Sequence, residues 1–205
     1  MAIIEEKSLH EPDERLARLM DRLEIEQLLY RYARGVDRRD WDLVRATYHP
    51  DAHDDHGNYK GDIDGFIASL KKRHASIEQS MHVVTNCMIE FDGPDSALVE
   101  SYFITFQRVL PEAGDARRNY LSRESLADGD AMQGQAVGRY VDRVTRRNGE
   151  WRVARRTVVF ELYHGAPTVP GGGLKPNWVI SRRDGTDHVE TLRAELGLAG
   201  KGPAE

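Results

Sequence analysis

The 205-residue chain predicts an α+β fold, with N-terminal helices packed inside a strongly curved antiparallel sheet. Three observations predict it. Apolar residues recur at helical spacing through about Leu70, and from "MHVVTNCMIEFDG" onward the period changes to that of strands. Two long alternating runs then meet at Asn148-Gly149, a dipeptide suited to a two-residue hairpin turn. A sheet wrapped round two or three helices encloses a cone with an apolar interior, and so a pocket.

The elements follow in order. Residues 1–14 read as a polar extension in which Pro12 suits a helical first turn. Leu16, Leu19, Met20 and Leu23 continue at helical spacing. Asp21 with Glu24 has the form of a capping box, so a second helix is expected to start there. Ile25, Leu28, Leu29, Tyr32 and Val36 carry the stripe to Asp37. A short helix with Trp41, Val44 and Tyr48 should end at His49-Pro50, because the residue before proline avoids the helical region. Gly61-Asp62 opens another helix, burying Ile63, Phe66, Ile67 and Leu70 on one face. Strands are expected in "MHVVTNCMIEFDG", "SALVESYFITFQRVL" and the two arms of the Asn148-Gly149 hairpin, and residues 111–131 read as polar and irregular. One domain, 15–165, accounts for this pattern, and 166–205 is a tail rich in glycine and proline.

Composition narrows the function classes. The chain is 40% apolar and 31% charged, which is the balance of a globular domain, and no apolar run approaches the ~18 residues of a spanning helix. Its acidic start has no long apolar segment, so it is not read as a secretory leader. A single cysteine, Cys87, excludes an intrachain disulfide framework and suits a reducing cytoplasm. A net charge of −5 gives no reason to expect nucleic acid as a partner.

Asp37 and His82 are the first candidates for chemistry. Tyr30, Ala33 and Asp37 fall on one helical stripe, with Tyr30 and Asp37 about 20° apart on the wheel. An acid there must be exposed at the helix end, or else paired. His82 opens a strand. A histidine can act as a general base near neutral pH, and a carboxylate against one ring nitrogen would fix its tautomer. The cluster His49, Asp51, His53, Asp54, Asp55 and His56 matches no zinc spacing and reads as a loop entering an edge strand, so no metal is expected. Alternation there puts Asp54 with His56, and His53 with Asp55. In "GEWRVARRTVVF", Trp151, Val153 and Arg155 share one strand face and Arg152, Ala154 and Arg156 the other, and one arginine could reach into the pocket and hold an anionic oxygen. Tyr102, Phe103, Phe106 and Tyr140 read as core or pocket lining. Nothing near Cys87 would lower its pKa, so it is read as a small core residue.

Three segments, "IEQLLYRYARGVDRRDWDLVRATYHPDA", "MHVVTN" and "GRYVDRVTRRNGEWRVARRTVV", resemble the SnoaL-like branch of the nuclear-transport-factor-2-like (NTF2-like) superfamily over about residues 15–165. The resemblance implies a cone-shaped fold around a deep pocket. It is nearest to the dehydratase and dehydrochlorinase group, whose lyases use an Asp–His dyad. The acid of that dyad matches Asp37 in "GVDRR" and its base matches His82 in "MHVVTN". The pocket arginine matches Arg156, and the polar residue five before the acid matches Tyr32. The helical wheel instead places Tyr30 nearer Asp37, and which tyrosine faces the pocket stays open.

The expected function is a cofactor-independent, dehydratase-like lyase acting on a hydrophobic cyclic oxygenated molecule. His82, Asp37, Tyr32 and Arg156 would be its catalytic residues, and Tyr30, Trp41, Tyr48, Phe103 and Tyr140 would line its pocket. An isomerase on the same dyad, a hydrophobic ligand-binding module and the small subunit of a ring-hydroxylating dioxygenase are the alternatives. The superfamily also implies self-association, as a homodimer or homotrimer, with neither nucleic acid nor membrane as partner.

Overall fold

The computed structural model describes residues 10–113 and 130–198, so most of the stretch read as irregular lies outside the described residues. Helix α1 runs unbroken over His10–Arg38, with Pro12 in its first turn. No second helix starts at Asp21. Its buried carboxylate instead accepts from Trp151 Nε1 at 3.0 Å and from an Arg146 guanidinium nitrogen at 2.7 Å, tying α1 to the sheet. Only the second half of the helical stripe is packed. Ile25, Leu28, Leu29, Tyr32 and Val36 are buried, whereas Leu16, Leu19, Met20 and Leu23 are exposed.

Asp40 caps α2 (Trp41–Ala46) by accepting from Leu43 N. This helix ends sooner than expected, and Tyr48, His49 and Pro50 already belong to strand β1 (Tyr48–Asp55). Proline is tolerated there because the pairing of β1 with its neighbour is interrupted between Tyr48 and His53. The short strand β2 (Lys60–Asp62) follows, and Asp62 caps α3 (Ile63–His74) by accepting from Gly65 N at 2.8 Å. Ile63, Phe66, Ile67 and Leu70 are buried, as their spacing predicts.

Four long strands complete the sheet: β3 (Ile77–Phe91), β4 (Ser96–Val109), β5 (Met132–Arg147) and β6 (Glu150–Pro167). The order is β2-β1-β6-β5-β4-β3. All neighbours are antiparallel except β1 and β6, which run parallel, so the sheet is mixed. Asn148 and Gly149 both have positive φ, 55° and 82°, as a type I′ turn requires. Among the described residues, no helix is long and apolar enough to cross a membrane.

The sheet curls round the second half of α1 because its strands carry register shifts, between Thr85 and Cys87 in β3 and between Val137 and Gly138 in β5. At Gly138 the strands approach so closely that a Cβ would lie 2.3 Å from the Val159 carbonyl oxygen and 2.9 Å from the Phe103 ring. Glycine is therefore needed at the bend itself. Gly138→Ala should destabilise the fold by about 1–3 kcal/mol through this overpacking, measured as a drop in the urea midpoint at unchanged m-value.

Candidate active site

The last turn of α1 delivers Asp37 to the start of β3. Its Oδ1 accepts from Ser80 Oγ at 2.8 Å and lies 2.6 Å from His82 Nδ1, and its Oδ2 accepts from the His82 backbone N at 2.7 Å. Burial would raise the carboxyl's pKa, but hydrogen bonds from His82 and Ser80 outweigh it and hold the group below the usual carboxylate range. An ionised carboxylate only accepts. Nδ1 therefore carries the proton, leaving the imidazole with a bare Nε2.

The backbone around Asp37 is held as closely as its side chain. The helix-end carbonyls of Val36 and Asp37 accept from the buried Arg183 guanidinium at 2.9 and 2.7 Å, and the Ile77 carbonyl accepts at 2.6 Å. Carbonyls at a helix C-terminus have no partner within the helix, and Arg183 supplies it from the tail. Burial among other arginines lowers the Arg183 pKa to about 10.

His82 borders two recesses. On one side is an outer cleft lined by Tyr30, Ala33, Arg34, Asp37 and Ser80. On the other is an interior cavity of about 540 Å³, walled by Tyr32, His56, Arg73, Phe103, Tyr140 and Phe160 among others. This arrangement accounts for both tyrosines. Tyr30 shares the Asp37 side and is exposed in the cleft, while Tyr32 points to the opposite side of α1 and into the cavity. Asp37 stands behind His82 and is not part of the cavity wall.

Three expected site residues lie elsewhere. Arg156 does not line the cavity. It is fully buried and donates twice to Asp142, at 2.8 and 2.6 Å, with the rings of Tyr32 and Tyr140 each 4.2 Å from its guanidinium carbon. Its charge is already neutralised. Trp41 packs edge-on against His74, away from the wall. Tyr48 is buried beneath the wall and donates to Asp54 Oδ2 at 2.8 Å. Phe103 and Tyr140 do line the cavity, stacked 4.5 Å apart.

The cavity also holds a second histidine, His56, from the segment that the sequence predicts as a loop entering an edge strand. Asp54 and His56 fall on the same side, as the alternation in "HDDH" indicates, and His56 Nδ1 bonds to Asp54 Oδ1. Its Nε2 meets the Tyr32 hydroxyl at 3.2 Å. Burial lowers the His56 pKa, so the ring is neutral, with Nδ1–H donating to Asp54 and Nε2 accepting from Tyr32. His82 and His56, each backed by a carboxylate, thus face the same space. Cys87 takes no part: it is half-buried, and burial pushes its thiol up to about 11.

His74, fully buried beside Arg183, is also held neutral by burial and by the nearby arginines. Three depressed histidines, with burial lowering His49 as well as His56 and His74, give stability a signed pH dependence. Unfolded, each binds a proton near 6.5; folded, each resists it. Their contribution is therefore complete above about pH 7 and is lost as pH falls below 6.5. The slope approaches about 1.4 kcal/mol per pH unit for each histidine. The depressed Asp37 adds its loss only below the ordinary carboxylate range. Urea unfolding between pH 7.5 and 5 should show this decline, and a flat profile would mean that His49, His56 and His74 are not held neutral.

Comparison with known proteins gives this geometry a family. A model of the SnoaL-like domain matches residues 17–157. Among curated proteins, Rv2910c of Mycobacterium tuberculosis is 32% identical over 82 residues, covering 38% of this chain and 55% of that protein. The match thus spans little more than half of the relative. Among solved structures, a type 2 hexachlorocyclohexane dehydrochlorinase (LinA) superposes with a TM-score of 0.60 at 17% identity, covering 80% of this chain and 99% of the other. The LinA-type3 enzyme of Novosphingobium barchaimii gives 0.60 at 18%, covering 78% and 99%. A variant of Rv3472, a protein of unknown function from M. tuberculosis, gives 0.55 at 18%, covering 95% of each chain. At these identities the structural likeness speaks for the fold alone. With the family model spanning most of the sheet and α1, the chain belongs to the SnoaL-like family of the NTF2-like superfamily.

Proposed function

We propose that the protein is a cofactor-independent lyase that eliminates water, or a comparable leaving group, from a hydrophobic cyclic molecule. The observation that carries this reading is the 2.6 Å contact between Asp37 and His82, made by an acid with three donors and a histidine bordering the cavity. Its resemblance to dehydratases and dehydrochlorinases of the same fold supports the same choice.

The chemistry balances with one base. His82 Nε2 takes the proton from a carbon next to a carbonyl, and the C–H electron pair becomes an enolate. The enolate re-forms the carbonyl and a C=C bond as the C–O bond to the β-substituent breaks. The His82 imidazolium then returns its proton to the departing oxygen, and water leaves. Asp37 stabilises the imidazolium between these steps. Tyr32 donates its own O–H to His56, so its oxygen lone pairs are available to accept from the substrate's hydroxyl. Arg156 acts only at a distance, by packing against Tyr32 and Tyr140.

General-base catalysis typically contributes about 10²–10⁴-fold. On a panel of cyclic β-hydroxy ketones, followed by enone absorbance, His82→Gln should lose about that factor in kcat. Asp37→Asn should lose somewhat less. An absence of wild-type turnover across the panel, or an unchanged rate in His82→Gln, would sink the lyase reading.

Self-association is proposed with it. The exposed stripe Leu16, Leu19, Met20 and Leu23 and the outer sheet residues Met81, Tyr102, Phe106 and Leu162 leave two apolar surfaces that a second copy would cover. Light scattering should give a multiple of the 23.3 kDa chain mass, and Phe106→Glu should lower it. A monomer at micromolar concentration would refute this.

A further inference from the structure

One cation in the cavity wall is not accounted for by this chemistry. Arg73, in the last turn of α3, lines the cavity with His56 and His82. Most arginines of the folded body are spoken for: Arg156 pairs with Asp142, Arg139 with Glu100 and Glu161, Arg146 with Asp21 and Asp95, and Arg147 with Asp51. Among the described residues, no carboxylate lies within ion-pair distance of Arg73, and none lines the cavity. The carboxylates that back the two cavity histidines are occupied, Asp54 by Tyr48 and His56, and Asp37 by Ser80 and His82.

Among the described residues, the one polar contact made by Arg73 is not a good hydrogen bond. An Arg73 guanidinium nitrogen lies 3.2 Å from His74 Nε2, while His74 Nδ1 lies 2.7 Å from an Arg183 guanidinium nitrogen. A neutral imidazole has a single bare nitrogen. One of these two contacts is therefore N–H against N–H, and the shorter distance assigns the true bond to Arg183. Arg73 is left facing another donor, at the exposed edge of a largely aromatic cavity whose described lining holds no carboxylate. Arg73 is exposed at the cavity mouth, where water can reach its donors and the helix C-terminus favours a basic residue, but among the described residues it is the one cation lining the cavity and has no carboxylate partner.

We propose that the molecule bound in this cavity carries an anionic oxygen group, a carboxylate on an apolar ring body. The carboxylate pairs with Arg73, and the ring lies among Phe103, Tyr140, Val158 and Phe160. Fixing one end of the substrate at Arg73 would orient its reacting carbon against His82 Nε2. The inference rests on the cavity being the substrate site, as in the proposed lyase, but not on the elimination step.

Titration calorimetry of the full chain with 2-naphthoate and its neutral isostere 2-naphthamide tests it. His82→Gln, which abolishes the proposed turnover, serves as the host. The carboxylate should bind about 10-fold more tightly than the amide at low salt. Arg73→Met should erase that preference while leaving the amide's affinity and the melting temperature in place, and Arg73→Lys should keep part of it. Equal affinity for the two probes, a preference that survives Arg73→Met, or no binding of either at about 1 mM would overturn the proposal. The two readings fail separately. Loss of carboxylate preference leaves His82-dependent turnover of neutral ketones standing, and absence of turnover leaves the carboxylate preference standing.

Discussion

The pairing of buried charge across β6 is the constraint on which the rest of the site depends. Arg156 lies in the register between Asp54 of β1 and Asp142 of β5, and all three residues are shielded from solvent. Removing one member of such a set typically costs about 3–5 kcal/mol, because the partner is left buried and unpaired. The bidentate bond to Asp142 fixes the guanidinium plane, and the flat faces of that plane fix the rings of Tyr32 and Tyr140. Asp54 turns both its oxygens to Tyr48 and His56. The floor of the cavity is thus a set of linked polar groups, and the positions of Tyr32 and Tyr140 follow from an ion pair that is not part of the cavity wall.

At the other end of α1 the constraint is the unsatisfied backbone of a helix terminus. Asp37 sits where helix carbonyls have no internal partner, and the tail covers them with Arg183. Arg39 reinforces the same corner, donating to the carbonyls of His74 and Ile77 at 2.6 and 2.7 Å. The acid is therefore held through its backbone, by a residue beyond the SnoaL-like match, and through its side chain, by residues within it. A carboxylate held at both levels has little freedom to reorient as His82 changes charge, and that is the condition under which it stabilises the imidazolium most effectively.

What was legible in the sequence divides along the same line. Hairpin chemistry at Asn148-Gly149, the apolar faces of α3 and of the second half of α1, and the position of Asp37 at a helix end all rest on local pattern. Each appears where the pattern puts it. His82 lies within β3, which starts at Ile77, and does not open the strand as its sequence position suggests. What was not legible depends on distant residues meeting. Asp21 and Glu24 match a capping box by spacing, yet Asp21 is claimed by Trp151 and Arg146 more than a hundred residues away. Arg156 has the sequence position of a pocket arginine, but its cross-strand neighbour is Asp142, and no one-dimensional reading weighs that pairing. The alternation of Asp54 with His56 was visible. That His56 would meet Tyr32 depended on how far β1 bends toward α1.

The Tyr30 and Tyr32 ambiguity shows how such limits arise. Helical geometry sets Tyr30 beside Asp37, the family motif sets Tyr32 in the pocket, and the structure contains both arrangements. The two conflict only if the acid itself lines the pocket. It does not: His82 separates the acid's cleft from the cavity, so the base has one face for its orienting carboxylate and the other for whatever the cavity binds. With the dyad built through the wall, the described residues lining the cavity include no carboxylate. Among the described residues, Arg73 is the one cation of that wall, so a negatively charged group on the bound molecule meets attraction there, while His82 presents the Nε2 that would take a proton from carbon.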